Sequence, residues 1–203
     1  MATLTDDLAA RLGGEPASRF AQQLGISQEQ SSAAIRAALP LLLGALGRNA
    51  SRPEGAQALF GALQKDHAGV DLGSVLGAVI GGGQGRQADG AGILGHIFGG
   101  SQERAEAGVA QATGLGQGQA GQLLKMLAPI VMAYLARQVM SGDGSQPSGG
   151  AQALGGLLGR EQQEIRQQGG LGGGLLGAVL DQDGDGQLGL GDLVKLGGLF
   201  GRK

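Results

Sequence analysis

The chain has 203 residues, among them 44 Gly and no Cys or Trp. The lack of Cys excludes disulfides, thiol nucleophiles and Cys-ligated metal sites, and a net charge of −2 gives no reason to expect binding to nucleic acid or to an anionic membrane. Hydrophobic residues make up 41% of the sequence, which is too many for a wholly disordered chain. Strong helix formers recur and no Val/Ile/Thr alternation predicts a strand, so we expect an all-α, multihelical protein.

The N-terminal segment predicts a short amphipathic helix over residues 5–12 and not a targeting signal. It contains Asp6 and Asp7, and it has neither a basic n-region nor an apolar h-region. The longest apolar runs, residues 37–47 and 126–136, have only half of the ~20 residues that a membrane-spanning helix needs. We therefore expect a soluble, cytoplasmic protein with no signal peptide and no transmembrane segment.

Two segments resemble each other at a constant offset of 89 residues, namely 20–49 and 109–138. The identical pairs include Gly25/Gly114, Gln30/Gln119, Pro40/Pro129 and Arg48/Arg137. A bias towards Gly and Ala does not readily produce matched prolines and arginines in register. We therefore interpret the chain as an internal repeat of two related helical units.

Each copy of the repeat is predicted to form a helix–turn–helix. The first helix ends at the matched Gly, which supplies a left-handed C′ residue. In the first copy Ser27 then caps the second helix, and Gln30 completes a capping box. The matched prolines, Pro40 and Pro129, lie inside the long second helices, and each is expected to kink its helix or to divide it in two.

Glycine-rich segments predict the domain organisation. Residues 81–88 form the expected linker between a first helical unit, 1–80, and a second unit, 89–203, and the stretch at 169–174 is either a further flexible linker or part of a packed helix. Aromatic residues are only 2% of the chain, so Leu burial has to stabilise the fold. Because Gly also recurs among Leu within the predicted helices, we expect self-association into a homo-oligomer through Leu/Gly helix faces.

An acidic loop near the C-terminus has the spacing of a twelve-residue calcium site, residues 181–192. The candidate ligands, at loop positions 1, 3, 5, 7 and 12, are Asp181, Asp183, Asp185, Gln187 and Asp192. Carboxylates at this spacing repel one another unless a cation lies between them, and Ca²⁺ prefers oxygen ligands. The final Asp departs from the usual Glu and resembles the loops of dockerin modules. The sequence thus predicts an EF-hand/dockerin-like Ca²⁺ loop, with a solvated acidic turn as the alternative.

Two other functions receive less support from the sequence. A DNA-reading helix-turn-helix is the alternative function, but the expected exposed face offers Gln28, Gln30 and Arg36 without a basic cluster for phosphates. Catalysis is not expected, because His67 and His96 are the only histidines and neither lies in a nucleophile motif. A hydrolase would require one of them to face a carboxylate in a cleft. The sequence therefore favours a non-enzymatic interaction or scaffolding module.

The chain resembles the bacterial YidB-like family, a domain of unknown function, over roughly residues 17–200. The resemblance rests on the stretches QLGISQEQSSAAIRAALPLLLGALGRNAS, LQKDHAG, GAGILGHIFGG, ATGLGQGQAGQLLKMLAPIVMAYLAR and DQDGDGQLGLGDL. It implies a bacterial, all-α, multihelical protein, and an acidic Gly-containing loop that this chain matches at 181–192. It implies no catalytic residue, since the family has no established activity.

Overall fold

A computed structural model describes residues 3–66, 70–81, 89–140 and 150–168. These residues form nine α-helices and no strand, which confirms the all-α prediction. The helices are α1 (Leu4–Leu12), α2 (Glu15–Leu24), α3 (Gln28–Ala50), α4 (Pro53–Asp66), α5 (Leu72–Ile80), α6 (Gly90–Phe98), α7 (Gln102–Thr113), α8 (Gln117–Met140) and α9 (Gly150–Gln168). The predicted calcium loop at 181–192, the stretch at 169–174 and most of the predicted linker at 81–88 lie outside the described residues.

Two long helices, α3 and α8, form the centre of the molecule. The apolar runs identified in the sequence, 37–47 in α3 and 126–136 in α8, are buried at every position. Each fully buried Leu contributes about 1.5–3 kcal/mol to the free energy of unfolding. The two central helices contact each other, and the shorter helices pack around them.

Both central helices contain a buried proline and continue through it. Pro40 lies within α3 and Pro129 within α8, and neither helix is divided. A proline in a helix interior removes one backbone hydrogen bond and costs about 3 kcal/mol in isolation. Burial along these helices on all sides offsets that cost, because a broken helix would expose the apolar runs on either side of the proline.

The turns before α3 and α8 have matching geometry. Gly25 and Gly114 both adopt left-handed backbone conformations, with φ of 66° and 71°, and the helix bounds on either side fall at the 89-residue offset. At the start of α3 the predicted capping box is present: Ser27 Oγ accepts from the Gln30 amide at 3.1 Å, and the Ser27 amide donates to Gln30 Oε1 at 3.1 Å. The local sequence signals therefore fix where these helices begin and end.

Helices from the two predicted units share one hydrophobic core. The second-unit helix α9 packs along α3, while the first-unit helices α4 and α5 pack against α8. Each central helix is thus covered partly by helices from the other unit. The division of the chain into units 1–80 and 89–203 stays a prediction.

Within the described part of the chain, α8 is the one helix long and apolar enough to cross a membrane. Of its most apolar window, 72% is buried inside the protein. The core helix of a folded domain passes the same test of length and composition, so this feature alone does not indicate a membrane span.

Candidate functional site

A cleft of about 700 Å³ opens between α4 and α6, beside the C-terminal end of α3. Its volume lies within the range of protein binding sites. The larger apolar side chains that line it are Leu46, Leu59, Ile93, Ile97 and Met132. The ionisable side chains that line it are Arg48, Arg52, Glu54, Asp66, Asp89 and His96. An apolar floor with polar groups around it is the usual composition of a binding cleft.

A single amide side chain fixes one end of this cleft. Asn49, near the end of α3, donates through Nδ2 to the backbone oxygens of His96 at 3.3 Å and Ile97 at 3.1 Å. Carbonyl groups in the last turn of a helix have no partner within that helix. Asn49 therefore caps α6 and holds its C-terminal end against the C-terminal end of α3.

Two glycines set the positions of the cleft walls. A Cβ on Gly90, the first residue of α6, would lie 1.7 Å from the carbonyl oxygen of Lys125 in α8. A Cβ on Gly55, in the first turn of α4, would lie 2.0 Å from the carbonyl oxygen of Asn49. Only Gly permits backbones to approach so closely. Both helices that form the cleft thus lie directly against the backbone of a central helix.

The cleft has opposite charges at its two ends. Arg48 and Arg52 lie where α3 ends and α4 begins, together with Glu54. Asp66 is the last residue of α4, and Asp89 immediately precedes α6. The 14 residues of α4 separate Arg52 from Asp66 by about 20 Å along the helix axis. Among the described lining residues, one end therefore has an excess of cations over its single carboxylate. The other end has two carboxylates, one of which, that of Asp89, also caps α6 by accepting from a backbone amide at 3.0 Å.

A carboxylate in α9, Glu161, lies at the position that corresponds in sequence to Asp66 in α4. Glu161 is 4% exposed and accepts hydrogen bonds from the amides of Leu4 and Thr5, both at 2.9 Å. It thereby binds the N-terminal end of α1, where backbone amides have no helical partner. The sequence AQAL occurs in α4 at residues 56–59 and in α9 at residues 151–154. Asp66 lies ten positions after the start of the first stretch, and Glu161 lies ten positions after the start of the second. Glu161 thus has hydrogen-bond partners within the molecule, whereas Asp66 lines an open cleft.

A second polar network lies away from the cleft and joins α1 to α8. The hydroxyl of Tyr134 donates to Asp7 Oδ2 at 2.7 Å and accepts from Gln138 Nε2 at 2.9 Å. Burial, and then the hydrogen bond to Asp7, raise the pKa of Tyr134 to about 12. Hydrogen bonds from Arg11 and from Tyr134 lower the pKa of Asp7. The network stabilises a neutral phenol beside an ionised carboxylate, and this pairing attaches α1 to the core.

The sequence-predicted site residues are only partly within the described chain. The candidate calcium ligands Asp181, Asp183, Asp185, Gln187 and Asp192 lie outside it, as does His67. In the described ranges no group of three or more acidic or His side chains could hold a metal ion. His96 lines the cleft, but no described carboxylate forms an ion pair with its ring.

Sequence reasoning did not identify the cleft, although two signals for it are present. The stretch GAGILGHIFGG contains Gly90 and His96 and forms one cleft wall. The match between the α4 and α9 sequences extends past AQAL to Lys65–Asp66 and Arg160–Glu161. Together these signals mark α4 and α6, but only the fold shows that the two helices face each other.

Comparison with known proteins identifies the family. A model of bacterial proteins of unknown function (DUF937) matches residues 6–138. The chain belongs to this family. This confirms the resemblance to the YidB-like family, and the match extends from α1 to α8, including every residue that lines the cleft. No curated protein and no solved structure matches the chain.

Proposed function

We propose that this DUF937 protein is a non-enzymatic interaction module that associates with further copies of itself through Leu/Gly helix faces. The observation that carries the proposal is the apolar floor of the α4–α6 cleft. Leu59 and Ile93 are only partly buried there, and apolar surface in contact with water costs about 25 cal/mol per Å². A second molecule that covers this floor removes that surface from water.

Exposed glycines in the two cleft helices support the same proposal. Gly61 in α4 and Gly95 in α6 are exposed, and no atom lies within 4 Å of the place that a Cβ would occupy. Gly inside a helix costs about 0.5–1 kcal/mol relative to Ala. Neither glycine lines the cleft, and nothing within the described molecule requires a small residue at either position. A partner's backbone that approaches these helices closely would require one.

Calcium is proposed as a modulator of this association. The loop at 181–192 has oxygen ligands at the required spacing, and a bound Ca²⁺ neutralises carboxylates that otherwise repel one another. Calorimetric titration of the full chain with CaCl₂ tests the loop, with Asp183→Ala as the ligand-deleted control. Heat with the wild type and none with the variant is expected, and no heat at millimolar Ca²⁺ would overturn the calcium proposal.

The DNA-binding alternative gains no support from the described surface. The exposed start of α3 carries Gln28, Glu29, Gln30 and Arg36, so its one cation is balanced by an anion. Phosphate contacts supply most of the affinity of DNA-binding proteins, and they require several Lys or Arg side chains. DNA binding thus stays a prediction from the helix-turn-helix pattern. The cytoplasmic location likewise stays a prediction, and it rests on the N-terminal sequence.

Sedimentation velocity of the full chain over a wide range of protein concentrations tests self-association. We expect the mean sedimentation coefficient to rise with concentration towards that of an oligomer. A single monomeric species at all concentrations, up to the solubility limit, would overturn the proposed function.

A further inference from the structure

The charge distribution of the cleft indicates which surfaces of two copies meet when the protein self-associates. Resting on that proposed function, we infer that two copies of this chain pair across their α4–α6 clefts about a two-fold axis. The Arg52 end of each cleft then faces the Asp66 end of the other. Each copy supplies charged groups that complete the partner's cleft.

The symmetry follows from the ends of α4. A two-fold axis perpendicular to the cleft places the start of one α4 helix opposite the end of the other. Arg52 therefore meets Asp66 of the second copy, and Asp66 meets the second Arg52, so both contacts are attractive. A parallel arrangement would oppose Arg52 to Arg52 and Asp66 to Asp66.

The side chains between these ends suit the approach of a second helix. Ala58, Ala62 and Gly92 line the cleft walls with little or no side chain, and Leu59 and Ile93 present partly buried apolar surface. Small residues on the walls permit a helix to come near, and apolar residues on the floor gain from exclusion of water. The cleft thus has a core and a charged rim, which is the usual arrangement of a protein interface.

A second copy fits the cleft better than a small ligand of one charge. An anionic ligand would be attracted by Arg52 but repelled at the end formed by Asp66 and Asp89, and a cation would meet the reverse. The charged ends are about 20 Å apart, which is the length of α4 itself, so a helix of the second copy can contact both ends. Glu161 gives an independent precedent, because a carboxylate at this position of α9 binds the positive end of a docked helix.

Charge reversal with mixing of variants tests the inference on the full chain. In a homodimer of the Arg52→Glu variant the introduced carboxylate would face Asp66, and in a homodimer of the Asp66→Arg variant the introduced guanidinium would face Arg52. Each variant alone is expected to weaken self-association about tenfold or more. In an equimolar mixture, a heterodimer pairs the two introduced groups with each other and the native Arg52 with the native Asp66. Both contacts are then attractive, so the mixture is expected to regain the wild-type dissociation constant.

Lys65→Glu is the matched control, because Lys65 is an exposed neighbour of Asp66 that does not line the cleft. It is expected to leave the dissociation constant within about twofold of the wild type, and circular dichroism checks that all variants remain helical. If the wild type associates and neither cleft variant weakens it, the cleft pairing is wrong while self-association stands. If both variants weaken association and their mixture does not restore it, the two-fold arrangement is wrong. A monomeric wild type would overturn the inference together with the proposed function.

Discussion

At the scale of single residues, the hydroxyl of Ser31 is a buried polar group on the core-facing side of α3. Ser31 is fully buried, and its Oγ has no hydrogen-bond partner. The residue at the 89-residue offset in α8 is Ala120, which is also fully buried. A methyl group is therefore compatible with this position in the helix pair, and the hydroxyl adds only a desolvation cost.

Ser31→Ala is expected to raise the free energy of unfolding by about 1 kcal/mol, because it removes an unsatisfied polar group and introduces a better helix former. Urea unfolding followed by circular dichroism measures the change. Ser32→Ala, at the neighbouring and only partly buried position, is the control and shares only the gain in helix propensity. A loss of stability in Ser31→Ala would show that the hydroxyl has a partner after all.

Tyr134 provides a direct test of the network that joins α1 to α8. It is the only Tyr in a chain without Trp, so its ionisation is read from phenolate absorbance. We expect a midpoint near pH 12 in the folded protein and near pH 10 in denaturant. Because the folded state raises this pKa, the stabilising contribution is complete below pH 10 and is lost as the pH rises towards 12.

The matching variant is Tyr134→Phe, which keeps the ring and removes the hydrogen bond to Asp7. We expect it to lower the free energy of unfolding at neutral pH by about 1–2 kcal/mol and to remove the part of the stability loss between pH 10 and 12 that comes from ionisation of the phenol. Equal titration midpoints in the folded and denatured wild type would contradict this account of the network.

At the scale of elements, the position of α6 depends on one glycine that contacts α8. Gly90→Ala places a methyl group against the Lys125 carbonyl oxygen, so the backbone has to move, at a cost of about 1–3 kcal/mol. Gly95→Ala in the same helix meets no atom of its own chain within 4 Å, so at protein concentrations too low for association it is expected to gain about 0.5–1 kcal/mol. Thermal unfolding of the two variants compares them, and changes of the same sign would argue against the close contact.

The hydrogen bonds between α1 and α9 depend on Glu161. Glu161→Gln keeps the size of the side chain but removes its charge, and it is expected to lower the free energy of unfolding by about 1–3 kcal/mol because hydrogen bonds to charged groups are the stronger ones. Glu164→Gln, exposed on the same helix, is the control and is expected to change little. Amide hydrogen exchange should locate the loss at Leu4 and Thr5, and exchange unchanged there would contradict the assignment.

At the scale of the whole molecule, local features were predictable and long-range ones were not. The apolar runs of α3 and α8 coincide with the buried core, and the Ser27 cap is where the capping-box pattern places it, because both depend on residues close in sequence. The contacts of Asn49 with α6 and of Glu161 with α1 join distant residues. No periodicity encodes such contacts, so the cleft could not be located without the fold. The calcium loop stays a prediction.

The family match ends at residue 138, but the helical fold continues beyond it. Helix α9 lies beyond the matched range and packs along α3. A chain ending at residue 140 would therefore expose apolar surface of α3 and is expected to aggregate more than one ending at residue 168, which keeps α9. Light scattering of the two truncated proteins distinguishes these outcomes, and equal solubility would show that α9 is dispensable.

The bond between Thr5 and Glu161 also sets an order of events during synthesis. The two residues are 156 positions apart, so a bacterial ribosome adding 5–20 residues per second needs roughly 8–30 s to make the second after the first. For that interval the amides of Leu4 and Thr5 lack their native acceptor and bond to water instead. The first helix to emerge can pack on α3 early, but it completes its hydrogen bonds to α9 only late in synthesis, and any chaperone that binds the nascent chain would meet α1 before Glu161 exists.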